Sequence, residues 1–199
     1  MNNIETVLIS TIYAIEPIMV CVNEYSLSKI ILLREENAPK EKLLTEETLK
    51  SSIGQLIPIE TKITELYDVV QVAKDTADII DEESNKNNII VNISGGRKPQ
   101  ALGALFGSYA RHQLVDSIVY IKQEGNIPLE LPVMSFKLSS TKIKLLKSLE
   151  DGISTVNELA TILNISRGMT YNHLRELRDM GCIDKKTLTI TTAGLLAII

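Results

Sequence analysis

The chain has 199 residues, a mass of 22.1 kDa, 44% hydrophobic residues and a formal net charge of −4. That is enough apolar material for one large domain or two small ones, and no apolar run approaches the roughly 18 residues that would span a bilayer. The N-terminus MNNIETVLIS has neither the basic region nor the small-residue cleavage site of a secretory leader, so a cytoplasmic protein with no membrane partner is expected.

Short β-rich runs alternate with longer helical patterns through the first 135 residues. Strands are predicted at Val7–Ser10, Lys29–Leu33, Ile59–Ile63, Ile89–Ile93, Ser117–Ile121 and Leu129–Met134. Between them the periodicity predicts four helices. The first is apolar, from Glu16 to Glu24 and opened by Pro17; the second, acidic with lysines, runs from about Lys40 to Leu56. The third, Tyr67 to Glu83, carries Val69, Val70, Val72, Ala73, Ala77 and Ile80 on one side, and the fourth runs from Pro99 to about His112. Alternating βα units of this length imply a Rossmann-like, doubly wound and mostly parallel sheet. Ligands bind such sheets outside the carboxyl ends of the strands, where strand order reverses.

The rhythm changes near Ser139. A helix from Thr141 to Leu149 presents Ile143, Leu145, Leu146 and Leu149 inward; VNELATIL follows Ser154 and ends at Asn164; RGMTYNHLRELRDM follows Ser166 and ends at Gly181. Cys182–Asp184 and Leu188–Ile190 can then pair as a hairpin, and a last helix starts at Ala193. Two short helices, a tight turn and a hairpin define a small winged helix-turn-helix domain. The expected division is residues 1–136 and 137–199. Charge supports it: from Ser139 onward eight Lys/Arg face six Asp/Glu, giving +2, against −6 for the rest. Thr170, Leu174 and Leu177 share the inward face of the second helix of the pair. Arg167, Met169, Tyr171, Asn172 and Arg175 then face outward for base edges, with Lys185 and Lys186 at the hairpin tip for phosphates. A small helical module used for dimerisation or as a lid is the plainer alternative for such a domain.

The chemistry concentrates at NIIVNISGGRKPQ, residues 88–100. Neither GxxxxGK[ST] nor GxGxxG is present, which speaks against a Walker loop and a dinucleotide oxidoreductase. Gly95 and Gly96 nevertheless let backbone N–H groups approach an anion. Pro99 opens a helix whose positive end points back at the loop, where Arg97 and Lys98 add two cations. The loop Ser10-Thr11-Ile12-Tyr13 after the first strand is expected at the same end of the sheet, completing a pocket. The small residues Ala101, Gly103, Ala104, Gly107 and Ser108 of the following helix permit close packing on the sheet or on a partner subunit. Cys21 and Cys182 lie in apolar stretches and His173 beside the inward Leu174. Buried thiols and a rim histidine are expected, with no metal and no cofactor.

Taken together, LISTIY, IETKITELYDV, NISGGRKPQALGALFG and STVNELATILNISRGMTYNHLRELRDMG resemble the CRISPR-associated Rossmann fold (CARF) proteins with a C-terminal winged helix, the archaeal CRISPR transcription regulators among them. The first loop departs from the glycine-containing turn of many relatives. The resemblance implies a homodimer whose paired Rossmann domains hold a cyclic oligoadenylate, most often cyclic tetraadenylate. Ser10, Thr11, Ile12 and Tyr13 of one loop, and Ser94, Gly95, Gly96, Arg97 and Lys98 of the other, would be the ligand-binding residues. Two functions follow from it. One is an antiviral-defence regulator in which the ligand alters binding to promoter or CRISPR-locus DNA. The other is a metal-independent ring nuclease, in which Ser10 or Thr11 positions the ribose and Lys98, or Lys185 or Lys186, stabilises the transition state of cleavage to linear di-adenylate with a 2′,3′-cyclic phosphate.

Overall fold

The computed structural model describes residues 5–135 and 138–199 and divides into two compact units, Met1–Ser135 and Phe136–Ile199. In the first, six strands form one sheet: β1 (Glu5–Thr11), β2 (Lys29–Arg34), β3 (Ile59–Ile63), β4 (Asn87–Asn92), β5 (Ser117–Lys122) and β6 (Ile127–Leu131). Their spatial order is β3-β2-β1-β4-β5-β6, with β1 to β5 parallel and β6 antiparallel to β5. Central positions such as Leu8, Ile9, Ile30, Ile31, Ile90 and Val91 are buried on both faces of the sheet, which is why these strands read as continuous apolar runs rather than alternating ones.

The crossovers α1 (Glu16–Glu24) and α2 (Lys40–Ser52) cover one face, where Ile18, Cys21 and Leu49 pack on Leu8, Ile30, Leu32 and Val119. The other face carries α3 (Val69–Glu83) and α4 (Lys98–Ala110), with Ile79, Ile80, Ala104 and Tyr109 against Val7, Ile9, Leu33, Ile89 and Val91. The small residues of α4 serve its contact with α3. A Cβ on Gly103 would lie 2.5 Å from Val72 Cβ, and one on Gly107 2.5 Å from the Ala73 carbonyl.

Three expected boundaries move for identifiable reasons. Helix α2 stops at Ser52, four residues before Leu56, once Ser51 and Ser52 turn their hydroxyls onto the Thr48 carbonyl. Strand β6 spans Ile127–Leu131 rather than Leu129–Met134, because Gly125 and Asn126 both adopt positive φ (84° and 52°) and reverse the chain in a tight turn. Helix α4 begins at Lys98, so Pro99 is its second residue and Arg97 its N-cap.

The second unit packs α5 (Ser140–Glu150), α6 (Val156–Leu163), α7 (Arg167–Asp179) and α8 (Thr192–Leu196) around Leu145, Leu146, Leu149, Leu159, Leu174, Leu177, Cys182 and Ile183. Ile143 is only partly buried. Thr155, not Ser154, caps α6: its hydroxyl accepts from the Glu158 N–H at 3.3 Å and donates to that residue's carboxylate at 2.6 Å. Asn164, left-handed at φ 51°, ends α6, and the Ser166 hydroxyl caps α7 by accepting from Met169 N–H at 3.2 Å. The expected hairpin contracts to one bridge between Ile183 and Ile190. The Asp184 carboxylate gathers the Lys186 and Thr187 N–H groups and the Thr187 hydroxyl into a turn instead, and these donors hold its carboxyl below the usual range. The last helix opens at Thr192, capped by Thr191.

Candidate functional site

Strand order reverses between β1 and β4: the chain leaves β1 toward the α1–α2 face and β4 toward the α3–α4 face. The two loops singled out in the sequence therefore meet at the switch point, outside the carboxyl ends of neighbouring parallel strands.

Hydrogen bonds fasten these loops from within. Asn92, fully buried at the end of β4, donates through Nδ2 to Ser10 Oγ at 3.0 Å. Its Oδ1 accepts from the Ser94 N–H at 3.0 Å and from Ser94 Oγ–H at 2.5 Å. Ser94 Oγ in turn accepts from the Ile121 N–H at 2.7 Å, which extends the chain of bonds to β5. Thr11 Oγ1 donates to the Gly95 carbonyl at 2.8 Å. Here the two backbones touch: a Cβ on Gly95 would stand 2.3 Å from the Thr11 carbonyl oxygen and 3.0 Å from Tyr13 N. Gly96 follows at φ 73°, a conformation open to glycine at little cost.

This geometry sorts the candidate residues. Ser10 and Ile12 are wholly buried and Thr11 is 1% exposed, with the Ser10 hydroxyl donating to the Thr11 carbonyl at 3.1 Å. Their side chains hold the loop together and do not reach outward. Ser94 is half-buried and committed to Asn92 and β5. The exposed side chains are the Tyr13 ring, Arg97 and Lys98, while Gly96 is half-buried and Gly95 buried. Among the described residues, the N–H groups of Gly95, Gly96 and Arg97 meet no acceptor, and Arg97 and Lys98 form no ion pair. Helix α4 also starts without a side-chain cap. Unpaired N–H groups, a helix N-terminus and two free cations on one loop are groups that could hold an oxyanion.

Sequence reasoning missed a buried polar residue beside this loop, Gln100, and the ion pair near it. Lys42 on α2, 1% exposed, donates to the Glu35 carboxylate just after β2 at 2.6 Å. Burial pushes the Glu35 pKa up, but the Lys42 hydrogen bond and charge, its own backbone N–H and the nearby Gln100 amide outweigh this and leave it below the usual range. Gln100, in the first turn of α4, is fully buried and neither amide atom completes a hydrogen bond. Only the polarity of positions 35, 42 and 100 was visible in the sequence, and nothing there joins them.

In the second unit, Arg167, Met169, Tyr171, Asn172 and Arg175 on α7 and Lys185 and Lys186 on the wing turn are all exposed, while Thr170, Leu174 and Leu177 are buried. Arg178, also overlooked, steadies the turn by donating to the carbonyls of Asp184 at 3.3 Å and Thr187 at 3.4 Å. Lys142 of α5 pairs with Glu176 of α7 at 2.8 Å. His173 is half-buried, 4.0 Å from the Glu176 carboxylate. Cys21 and Cys182 are buried free thiols, and burial pushes the Cys21 pKa up to about 12. Among the described residues no three His, Cys, Asp or Glu side chains gather as metal ligands, and no helix is long and apolar enough to cross a membrane.

Fold and loops together define a Rossmann-like unit with an anion-receptive switch point, followed by a winged helix-turn-helix. Residues 6–124 match the family described as HFX_2341_N-like, N-terminal, and the chain belongs to that family. Residues 139–185 match the bacterial regulatory protein, arsR family. No curated protein matches the chain. Among solved structures it is similar in fold to the protein VC1899 from Vibrio cholerae, with a TM-score of 0.54 and 11% identity over 96% of this chain and 63% of that one. Csm6 from Enterococcus italicus, bound to cyclic hexa-2′-fluoro-hexa-dAMP, gives 0.52 and 10% over 89% and 55%. A type III CRISPR defence DNA nuclease activated by cyclic oligoadenylate gives 0.50 and 10% over 89% and 35%. The chain thus spans less than two thirds of each of these proteins, and the likeness is one of fold.

Proposed function

We propose that this chain is a cyclic oligoadenylate-responsive, DNA-binding regulator of a CRISPR system. Two copies pair through their Rossmann units, the ring phosphates rest on the Gly95–Lys98 loop of each, and occupancy shifts the affinity of the winged helices for promoter or CRISPR-locus DNA. A ring with two-fold symmetry suits an isologous dimer. Such a ligand acts by favouring the conformer it binds better, so its effect on DNA affinity equals its own preference between the two conformers. The observation that carries the reading is the loop itself, with three unpaired N–H groups at a helix N-terminus flanked by two unpaired cations. Of the proteins of similar fold, one is bound to a cyclic oligonucleotide and another is activated by cyclic oligoadenylate, which supports a cyclic adenylate over other phosphates, cyclic tetraadenylate being the first choice.

The buried, internally bonded hydroxyls of Ser10 and Thr11 argue against the ring-nuclease alternative, since neither can position a ribose without undoing the contact between the loops. Two measurements on the full chain test the proposal. DNA binding with and without cyclic tetraadenylate should differ in affinity and weaken with salt. Labelled ring incubated in EDTA should remain intact. Linear di-adenylate ending in a 2′,3′-cyclic phosphate would instead establish cleavage, and DNA binding indifferent to the ring would reject the regulator.

A further inference from the structure

Buried polar groups gather near the end of β2 and the start of α4. Lys42 on α2 donates to the Glu35 carboxylate, just after β2, at 2.6 Å, and the Gln100 amide of α4 lies near that carboxylate without completing a hydrogen bond to it. Gln100 also lies against Gly96: a Cβ added there would lie 2.5 Å from Gln100 Oε1 and 3.3 Å from Thr11 Cβ. Gln100 is fully buried, and both its amide oxygen and its amide nitrogen lack a partner. Groups of this kind are costly to leave unpaired, and a leucine would fill much the same volume without that penalty. The position of the amide, pressed against the residue that turns the loop, accounts for its presence.

We propose that Gln100 is a positioning residue for the backbone of Gly95–Arg97, its amide packed against the Gly96 turn and the Glu35–Lys42 pair lying beside it. The inference rests on the ring-binding reading above and adds to it the residues that preorganise the loop. The pair has a second effect on the same site. Glu35 alone would place a buried negative charge near an anion-binding loop, and Lys42 cancels it at short range.

The test uses the full chain with cyclic tetraadenylate as the probe, measuring Kd by calorimetry and stability by thermal melting. In Gln100→Leu the melting temperature should stay the same or rise, while Kd weakens by about tenfold or more. A purely architectural role predicts instead that both fall together, and that result overturns the proposal. Lys42→Met should weaken binding, and the double variant Glu35→Gln/Lys42→Met should recover part of it by removing the stranded charge. Failure of the second change to restore any binding also counts against the proposal. Arg97→Ala/Lys98→Ala separates the two levels. If that variant loses binding and Gln100→Leu binds as wild type, the cradle stands and the role of Gln100 is rejected. If it binds as wild type, the cradle reading fails and this inference fails with it.

Discussion

Replacing Gly95 by alanine tests the contact between the β1 and β4 loops. The new Cβ would sit 2.3 Å from the Thr11 carbonyl oxygen, 2.9 Å from its carbon and 3.0 Å from Tyr13 N. All three neighbours are backbone, so no rotamer change relieves the overlap and the loops must separate by about 1 Å to reach ordinary contact near 3.5 Å. Overpacking of this kind costs about 1–3 kcal/mol. Separation also stretches the 2.8 Å bond from Thr11 Oγ1 to the Gly95 carbonyl, adding about 1 kcal/mol. The expected loss is about 2–4 kcal/mol in urea unfolding followed by circular dichroism, with the denaturant slope unchanged. Binding of cyclic tetraadenylate should disappear, because the N–H groups of Gly95 and Gly96 no longer face one anion. Gly125→Ala is the control. Gly125, unlike Gly95, has positive φ, and a Cβ there meets only the Ile127 side chain at 3.5 Å or more. Its cost is the left-handed conformation alone, about 1–2 kcal/mol, with binding intact. A Gly95→Ala variant no less stable than Gly125→Ala, or one that binds the ring normally, would refute the reasoning.

Two further outcomes are expected. Burial pushes the Glu46 pKa up, but Lys50 at 2.6 Å, Thr61 at 2.6 Å and Arg34 at 2.6 Å overcome it and lower the pKa from 4.5 to about 2. A pKa depressed on folding contributes stability that is complete above about 4.5 and lost as pH falls toward 2. At about 1.4 kcal/mol per pH unit that is roughly 3 kcal/mol, so Glu46→Gln should shrink the acid-induced loss in this window by that amount in melts from pH 6 to pH 2. In the second unit, Arg178→Ala removes two bonds to the wing turn. At about 0.5–1.5 kcal/mol each, their loss should speed hydrogen exchange of the Lys186 and Thr187 amides about tenfold and leave exchange in the α6 and α7 core unchanged.

The sheet and both recognition elements were legible in the sequence because their signals are local. Ile30–Leu33 and Ile89–Val91 are apolar on consecutive positions, the mark of a strand covered on both faces, and Asn164 and Ser166 punctuate the two helices of the helix-turn-helix. The candidate site was legible only in part. Gly95 and Gly96 announced a tight turn, but nothing local distinguishes Tyr13, which is exposed, from Ile12, which is buried. That choice depends on Ile12 N–H donating to the Leu33 carbonyl of β2 at 3.4 Å and continuing the sheet one residue further. The buried charges were the least visible. Lys42 and Glu46 lie on a helix whose composition reads as a solvated surface, and they turn inward because Glu35 and Arg34, at the end of β2, meet them there. A pattern confined to one helix carries no trace of a partner on a strand.

The distribution of polar groups at the switch point also bears on what kind of site it is. The hydroxyls of Ser10, Thr11 and Ser94 are spent on joining β1, β4 and β5, and the side chains that face outward are two cations and one phenol ring. On the reading proposed above, the output of such a surface is binding free energy. A ligand at a hundred times its Kd adds about 2.7 kcal/mol to the stability of the state it binds, comparable to the expected cost of Gly95→Ala. The comparison separates loop from fold. In Glu46→Gln the ring should still raise the melting temperature at neutral pH by the wild-type increment, because that ion-pair cluster joins α2 to β2 and β3 without touching the loop. In Gly95→Ala, equally folded at neutral pH, it should raise it by nothing. Equal increments in the two variants would mean that the ligand is held somewhere other than the Gly95–Lys98 loop.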